Sequence, residues 1–252
     1  MYAINRYVRS KQIVDVSEAI QRFLEVDVLS RAGADVFTEP NVFRRAHCYS
    51  EAASKLLAKH YQSLKHLFDA ISDRSQEVQE PGLLKQKARL RLVSLQRWRD
   101  FIRALRWIDE DVSEREAGLC FVWSRMCVAD PRTRLGQLKE NTLDEPGFLE
   151  ALCRLAVLKA LPTDEQIAAV GVKDAASYLD RMSAEEQIAF KKAHSAVQSW
   201  GDEPAIQPLA RMLDHLIQLM INVVETDLGR PVQDGKLGVD EARRWVKISN
   251  LR

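Results

Sequence analysis

The amino-acid sequence predicts an all-α protein, and three observations support this prediction. Apolar residues recur at helical spacing along most of the chain. Stretches in which apolar and polar residues alternate between turn signals, the pattern typical of strands, are scarce. Only 10 glycines and 8 prolines interrupt the 252 residues, and 46% hydrophobic residues suffice for a substantial core. We therefore expect about ten helices joined by loops.

Charge and cysteine content restrict the classes of partner and compartment. The 37 Lys and Arg residues nearly balance the 36 Asp and Glu residues, so no overall field favours nucleic acid or a membrane as a partner. No apolar run approaches the ~20 residues of a membrane span, and the N-terminus lacks a signal-peptide core. Cysteines without CxxC spacing are expected to be reduced and mostly buried, in a cytoplasmic protein. They are Cys48, Cys120, Cys127 and Cys153.

Helical spacing predicts two helices in the first third of the chain. The first covers residues 15–32, with Ser17 as its cap and Gly33 at its end. The second covers residues 51–72. The polar stretch over residues 73–91, which contains a Pro-Gly turn, is predicted to be a surface insertion.

The middle of the chain predicts two more capped helices. Ser94 caps a helix that continues through Ile108. Ser113 and Glu116 have the spacing of a capping box, and this box opens a helix that ends at Met126.

A loop over residues 128–141 then leads to Asp144, the predicted cap of a helix that ends at Leu161. Asp240 is predicted to cap the last helix of the chain. We divide the chain into two domains, residues 1–161 and residues 162–252, with the second packed on the first. Between Thr163 and the last loop, the predicted helices cover residues 164–170, 174–181, 183–200 and 204–227.

A short pattern recurs at the start of several helices: an apolar residue, a capping residue, and an aromatic or apolar residue five positions after the first. It occurs at Leu143-Asp144 with Phe148, at Val93-Ser94 with Trp98, and at Phe37-Thr38 with Val42. This pattern resembles the second half of the calcium-binding loop in EF-hand proteins of the calmodulin type. In those loops position 8 is apolar and position 9 caps the following helix.

The calcium ligands of an EF-hand are missing from these repeats. An EF-hand loop closes on a bidentate Glu at position 12. At this position the three repeats have Gly147, Arg97 and Asn41. In the last loop, Leu237 at position 8 puts Glu241 at position 12, but Arg230 then stands at position 1. The resemblance therefore implies calcium-independent, paired helix-loop-helix units over most of residues 16–161, with no metal ion or other cofactor.

The resemblance also implies that paired units bind a protein partner through apolar grooves between their helices. The residues assigned to the cores of these units and to their grooves are Trp98, Phe101, Leu105, Phe121, Met126, Phe148, Leu152 and Leu155. Three arginines lie opposite the apolar stripe of their helix and are expected to steer an acidic partner, together with the basic run over residues 85–91. They are Arg99, Arg103 and Arg106.

We therefore expect a non-enzymatic adaptor with a protein partner. In the family that the chain resembles, calcium-independent hands with long insertions often belong to cytoskeletal and ciliary assemblies. The resemblance thus implies a component of a microtubule-based structure such as a cilium or axoneme, with tubulin or another protein of that structure as its partner.

Three alternatives remain open at this stage. A calcium sensor would expose apolar surface on binding the metal ion despite its altered loops. A helical enzyme would assemble its site across the fold, because no nucleophile, phosphate-binding or paired-histidine motif is present. An unrelated helical bundle would share only well-capped helices with the EF-hand family.

Overall fold

The computed structural model describes residues 15–31, 39–73, 77–78, 88–89, 91–126, 128, 132–197, 200 and 206–251. These residues are mostly helical, so the all-α prediction is confirmed. The chain forms two compact units, residues 1–39 and residues 40–252. Several predicted features lie outside the described residues. They are the helix end at Gly33, the repeat at Phe37-Thr38, most of the basic run over residues 85–91, and Cys127.

The first unit contains one α-helix, α1 (Val16–Arg22), followed by a π-helical turn (Phe23–Val28) and a 3-10 turn (Leu29–Arg31). Its cap is Asp15, whose carboxylate accepts a hydrogen bond of 2.8 Å from the backbone N–H of Ser17. The prediction that Ser17 caps this helix is therefore wrong, because the stronger acceptor two residues earlier takes the role.

The second unit contains eleven α-helices among its described residues. They are α2 (Pro40–Phe43), α3 (Glu51–Ile71), α4 (Leu95–Ala104), α5 (Glu114–Ser124), α6 (Arg134–Asn141), α7 (Glu145–Leu158), α8 (Asp164–Val170), α9 (Ala175–Asp180), α10 (Ala184–Ser195), α11 (Leu209–Leu228) and α12 (Val239–Ile248). A π-helical turn (Arg44–Cys48) follows α2, and a 3-10 turn (Gln233–Gly235) lies between α11 and α12. The short strand pairs are β1 (Glu77–Val78) with β2 (Ala88–Arg89), and β3 (Val93–Ser94) with β4 (Thr142–Leu143).

Side-chain caps fix where most of these helices begin. Ser94 accepts from the backbone N–H of Arg97, and Asp144 accepts from that of Gly147. Ser113 forms a capping box with Glu116 at the start of α5. The predicted caps at Ser94, Asp144 and Ser113 are confirmed, and Thr163 caps α8.

The helices differ from prediction mainly at their ends. Helix α4 stops at Ala104 instead of continuing to Ile108, because Arg106 adopts a positive φ of 59° and Trp107 N–H bonds to the carbonyl of Ile102. Part of the predicted loop over residues 128–141 is helix α6, which Thr133 caps.

Two C-terminal helices are shorter than predicted, and one has a different cap. Helix α10 ends at Ser195 and not at Trp200. Helix α11 begins at Leu209, directly after Pro208. The cap of α12 is Gly238 and not Asp240, and the side chain of Glu241 accepts the Gly238 N–H at 2.8 Å.

Aromatic side chains connect the helices of the second unit around one core. The ring of Phe148 lies 5.6 Å from Phe68, 6.1 Å from Trp98 and 5.8 Å from Phe101, measured between ring centroids. Phe101 in turn lies 6.0 Å from Trp245. Helices α3, α4, α7 and α12 therefore share one aromatic cluster.

The predicted domain boundary after Leu161 falls inside this unit. Helix α11 packs against α3 and α7, and α12 packs against α3. Leu213 and Ile217 of α11 are fully buried in the same core cluster as Leu152 of α7.

The two-residue ladder between β3 and β4 joins distant parts of the chain. Val93 pairs with Leu143 and Ser94 pairs with Thr142, in antiparallel register. Both apolar side chains of the ladder are fully buried. Because each strand leads directly into a helix, the ladder sets the starts of α4 and α7 side by side.

A polar network joins α3, α8 and α11. Asp214 Oδ1 lies 2.8 Å from His60 Nε2 and 3.2 Å from Lys59 Nζ. Burial alone would raise the pKa of Asp214, but the hydrogen bonds and charges of these two residues outweigh burial and lower it. Arg211 and Asp164 form two hydrogen bonds of 2.6 Å beside this group.

Leu143→Ala is expected to lower the free energy of unfolding by about 2–4 kcal/mol, because it leaves a cavity behind the ladder. Urea denaturation followed by circular dichroism measures the change. Ile248→Ala removes a comparable side chain from an exposed position on α12 and should cost well under half as much. Equal losses in the two variants would contradict the role given to the ladder.

Asp214→Asn is expected to cost about 1–3 kcal/mol near neutral pH, because two donors lose a charged acceptor. The folded pKa of Asp214 is lowered, so its contribution is complete above the ordinary Asp pKa of about 4 and disappears as the pH falls through the folded value. Between about pH 7 and about pH 3, the free energy of unfolding should therefore fall less in the variant than in the wild type. The exposed Asp180, changed to Asn, is the control, and identical pH slopes in D214N and wild type would refute the assignment.

Candidate functional site

Most of the predicted partner-binding residues form the core. Seven of them are at most 2% exposed, whereas Met126 is 52% exposed. In this structure a partner can therefore touch only Met126 among the eight. The seven buried residues are Trp98, Phe101, Leu105, Phe121, Phe148, Leu152 and Leu155.

The three predicted arginines have different surroundings. Arg103 forms ion pairs of 2.6 Å with Glu114 and 3.0 Å with Asp100. Arg106 forms an ion pair of 2.6 Å with Asp227 at the end of α11. No described residue pairs with Arg99 or accepts a hydrogen bond from its buried Nε atom. Arg99 is therefore the arginine of the three whose charge no carboxylate in the described part of the chain offsets.

Arg99 lies in a cleft of about 580 Å³ between α4 and α5, here called the α4–α5 cleft. Two of its apolar residues, Leu119 and Val122, come from α5. The guanidinium of Arg99 lies against Gly118, since a Cβ at this glycine would be 3.4 Å from Nη2. The residues lining the cleft are Leu95, Arg99, Arg103, Glu114, Arg115, Gly118, Leu119 and Val122.

The α4–α5 cleft has an excess of positive charge. Three arginines line it against one glutamate, Glu114, which is already paired with Arg103. The hydrogen bond to Glu114 is the main cause that raises the pKa of Arg103 above its ordinary value. A carboxylate placed beside the Arg99 guanidinium would neutralise a positive charge that no carboxylate in the described part of the chain offsets.

Sequence analysis did not identify the α5 wall of this cleft. Arg115, Leu119 and Val122 follow one another at steps of four and three residues, which places them on one face of a helix. The capping box at Ser113 already fixed the start of that helix. This spacing predicts that the three residues share one face of α5. It does not predict that α4 packs beside that face.

A second cavity of about 510 Å³, here called the Met126 groove, lies between the segment that precedes α3, the end of α5 and the start of α7. Leu57, Met126 and Leu149 supply apolar surface. Arg44 and Glu150 pair across its floor at 2.6 Å, and this hydrogen bond raises the pKa of Arg44. The charges of that pair cancel, and the other charged residue that lines the groove is the helix cap Asp144, so the groove lacks the excess of positive charge found in the α4–α5 cleft.

At three of the positions that correspond to EF-hand position 12, other contacts or lack of space prevent a calcium ligand. They are Arg97, Gly147 and Glu241. Arg97 donates to Asp73 at 3.0 Å. A Cβ at Gly147 would lie only 2.9 Å from the carbonyl oxygen of Ser124, so no longer side chain fits there. In the last loop, Glu241 pairs with Arg230 at 3.5 Å.

The last loop, between α11 and α12, contains a tight turn but no set of metal ligands among its described residues. Gly235 has a positive φ of 65°. The N–H of Leu237 donates to Ser63 Oγ at 3.0 Å, and its carbonyl lies 2.8 Å from His66 Nδ1. Within the described ranges, no group of three or more His, Cys, Asp or Glu residues is placed to hold a metal ion.

A deeply buried ion pair lies away from both cavities. Lys159 Nζ bonds to Asp111 at 2.9 Å, and the backbone N–H of Ala160 donates to the same carboxylate at 2.8 Å. Burial lowers the pKa of Lys159 against the opposing effect of Asp111, and burial also lowers the pKa of His194. None of these residues lines the α4–α5 cleft or the Met126 groove. Their contacts hold the end of α7 in place.

Comparisons with protein-family models, curated proteins and solved structures found no match to this chain. Of the helices in the described residues, none combines the length and the apolar character needed to cross a membrane.

Calcium titration of the metal-free protein is expected to produce no binding heat and no change in helicity. Arg97 stands at position 12 of one repeat and pairs with Asp73, Glu241 at position 12 of the last loop pairs with Arg230, and at Gly147 a longer side chain has no room. Calorimetry with parallel circular dichroism tests this. Micromolar binding accompanied by a change in helicity would instead establish a calcium sensor.

Proposed function

We propose that this protein is a metal-independent adaptor that binds an acidic, amphipathic segment of a partner protein in the α4–α5 cleft. The observation that carries this proposal is the half-buried guanidinium of Arg99, which has no carboxylate partner among the described residues and lies in a cleft with apolar walls. The acidic residues of such a segment would pair with Arg99, and its apolar residues would pack against the apolar walls of the cleft.

We further propose that the second unit contains a pair of EF-hand-like helix-loop-helix units, α3 with α4 and α5 with α7. The antiparallel pairing of Val93 with Leu143 supports this, since both occupy position 8 of the repeat. Trp98 and Phe148, five residues further on, are also in contact. In such a pair, the face of α4 that carries Arg99 is held against α5.

The chemistry of the cleft specifies what the partner segment carries. A carboxylate is needed beside Arg99, and a second one is favoured near the exposed Arg115. Leu119 and Val122 provide contact for aliphatic side chains between those charges. Arg106 contributes less in this proposal than in the sequence prediction, because Asp227 already pairs with it.

The microtubule-based setting remains a prediction of the family resemblance. A filament whose subunits carry acidic tails is one source of the proposed segment, and tubulin is the candidate named above. Co-sedimentation with polymerised tubulin addresses this setting separately from the cleft itself.

The double variant Arg99→Glu with Arg115→Glu is expected to weaken binding of an acidic helical peptide by at least about tenfold, because attraction becomes repulsion in a partly buried site. The probe is a labelled peptide of about 18 residues with Glu and Leu at helical spacing, followed by fluorescence anisotropy. Wild-type binding should weaken with added salt.

A matched control changes the exposed Arg243 and Arg244 of α12 to Glu, which alters net charge equally but leaves the cleft intact. This control should bind the peptide within about twofold of the wild type. Two results would reject the proposal: equal affinity for a peptide in which Gln replaces every Glu, or equal loss of affinity in both double variants. Thermal unfolding of each variant verifies that it is folded.

A further inference from the structure

Two cysteine thiols line the Met126 groove. Cys48 ends the π-helical turn before α3, and Cys153 lies on α7. Both are free cysteines and both line the groove, four residues after Arg44 and three residues after Glu150, which pair with each other at 2.6 Å. Cys48 is 8% exposed and Cys153 is 1% exposed, so solvent in the groove reaches Cys48 first.

Other contacts hold the two backbone segments in register around these sulfur atoms. Arg44 Nε donates to Glu150 at 2.6 Å, and its Nη2 donates to the carbonyl of Trp123 at 3.1 Å. The guanidinium carbon of Arg154 lies 4.9 Å from the ring centroid of Phe43. Glu150 and Cys153 are three residues apart on α7. The carboxylate that binds Arg44 and the Cys153 thiol therefore lie on the same face of that helix.

We propose that Cys48 and Cys153 form a peroxide-sensitive modification site, in which hydrogen peroxide entering the Met126 groove converts the two thiols to a disulfide. The bond would join the segment before α3 covalently to α7. This inference is independent of the proposed adaptor function, since it concerns a different cavity.

The reaction balances in two steps. The Cys48 sulfur attacks one peroxide oxygen, the O–O bond breaks, and Cys48 becomes a sulfenic acid as one water leaves. The Cys153 sulfur then attacks Cys48 Sγ, the S–O bond breaks, and the oxygen leaves as a second water with the Cys153 proton. Hydrogen peroxide is reduced to two waters while the two thiols are oxidised to one disulfide.

The surroundings assign the order of the two cysteines. Cys48 is the more exposed of the two thiols, and interaction with Cys48 together with burial raises the pKa of Cys153, which disfavours its thiolate, so Cys48 is assigned the first attack. Cys120 provides an internal contrast, because it is fully buried outside the groove and burial raises the pKa of its thiol.

The test treats the reduced full-length chain with hydrogen peroxide, blocks remaining thiols with N-ethylmaleimide and maps the peptides by mass spectrometry. The expected product is a link between the Cys48 and Cys153 peptides that dithiothreitol reverses. In Cys153→Ser, dimedone should instead label Cys48 as a sulfenic acid. In Cys48→Ser, Cys153 should stay a thiol.

Met126 serves as an internal measure of the peroxide dose, because it is exposed on the same groove. Oxidation of Met126 without the Cys48–Cys153 link would overturn the proposal, and so would a link from Cys48 to any other cysteine or to a second chain. The wild type should also show a higher urea midpoint after peroxide treatment, and this shift should disappear on reduction and be absent from both single variants.

Discussion

The pairing of Val93 with Leu143 is the constraint on which the rest of the second unit depends. It joins two segments fifty residues apart and places the caps Ser94 and Asp144 at opposite ends of the ladder, each one residue beyond the Val93–Leu143 pair. Because each cap starts a helix, the first turns of α4 and α7 are fixed together and their aromatic residues meet in the core. The ladder has only two residue pairs, so burial of its apolar side chains, rather than its hydrogen bonds, supplies most of its stabilising effect.

Because α4 is fixed against α7, only some residues of α4 remain free to bind a partner. Trp98 faces the core and donates to the carbonyl of Ala117, which draws α5 alongside. Arg99, the next residue, is thereby turned toward α5 and rests on Gly118. Arg103 lies one turn further on and reaches Glu114 at the start of α5. The difference in availability between Arg99 and Arg103 is thus a consequence of where acidic residues occur on the neighbouring helix.

The sequence predicted the local features of this structure well and the nonlocal ones poorly. Caps such as Ser94 and Asp144 depend on residues within one turn, so their chemistry is visible in the sequence. The ion pair between Arg106 and Asp227 joins residues 121 positions apart, and no periodicity could predict it. Helix α6 was missed because its eight residues hold few apolar positions, so only the cap at Thr133 marks it. The α4–α5 cleft likewise needed the packing partner of α5 before its charge could be assessed.

Arginine side chains offset the charge of carboxylates near two of the segments between helices, without a metal ion. A calcium ion neutralises clustered carboxylates and holds a loop closed, but it exchanges with solvent. In this chain the guanidinium of Arg97 neutralises Asp73, and that of Arg230 neutralises Glu241. Arg97 lies on α4 and Arg230 lies between α11 and α12, so each positive charge belongs to the chain itself and its local concentration does not vary with the ionic composition of the cell. The proposed adaptor would therefore present the same α4–α5 cleft at all calcium concentrations, and its binding would be controlled by the partner or by chemistry elsewhere, such as oxidation in the Met126 groove.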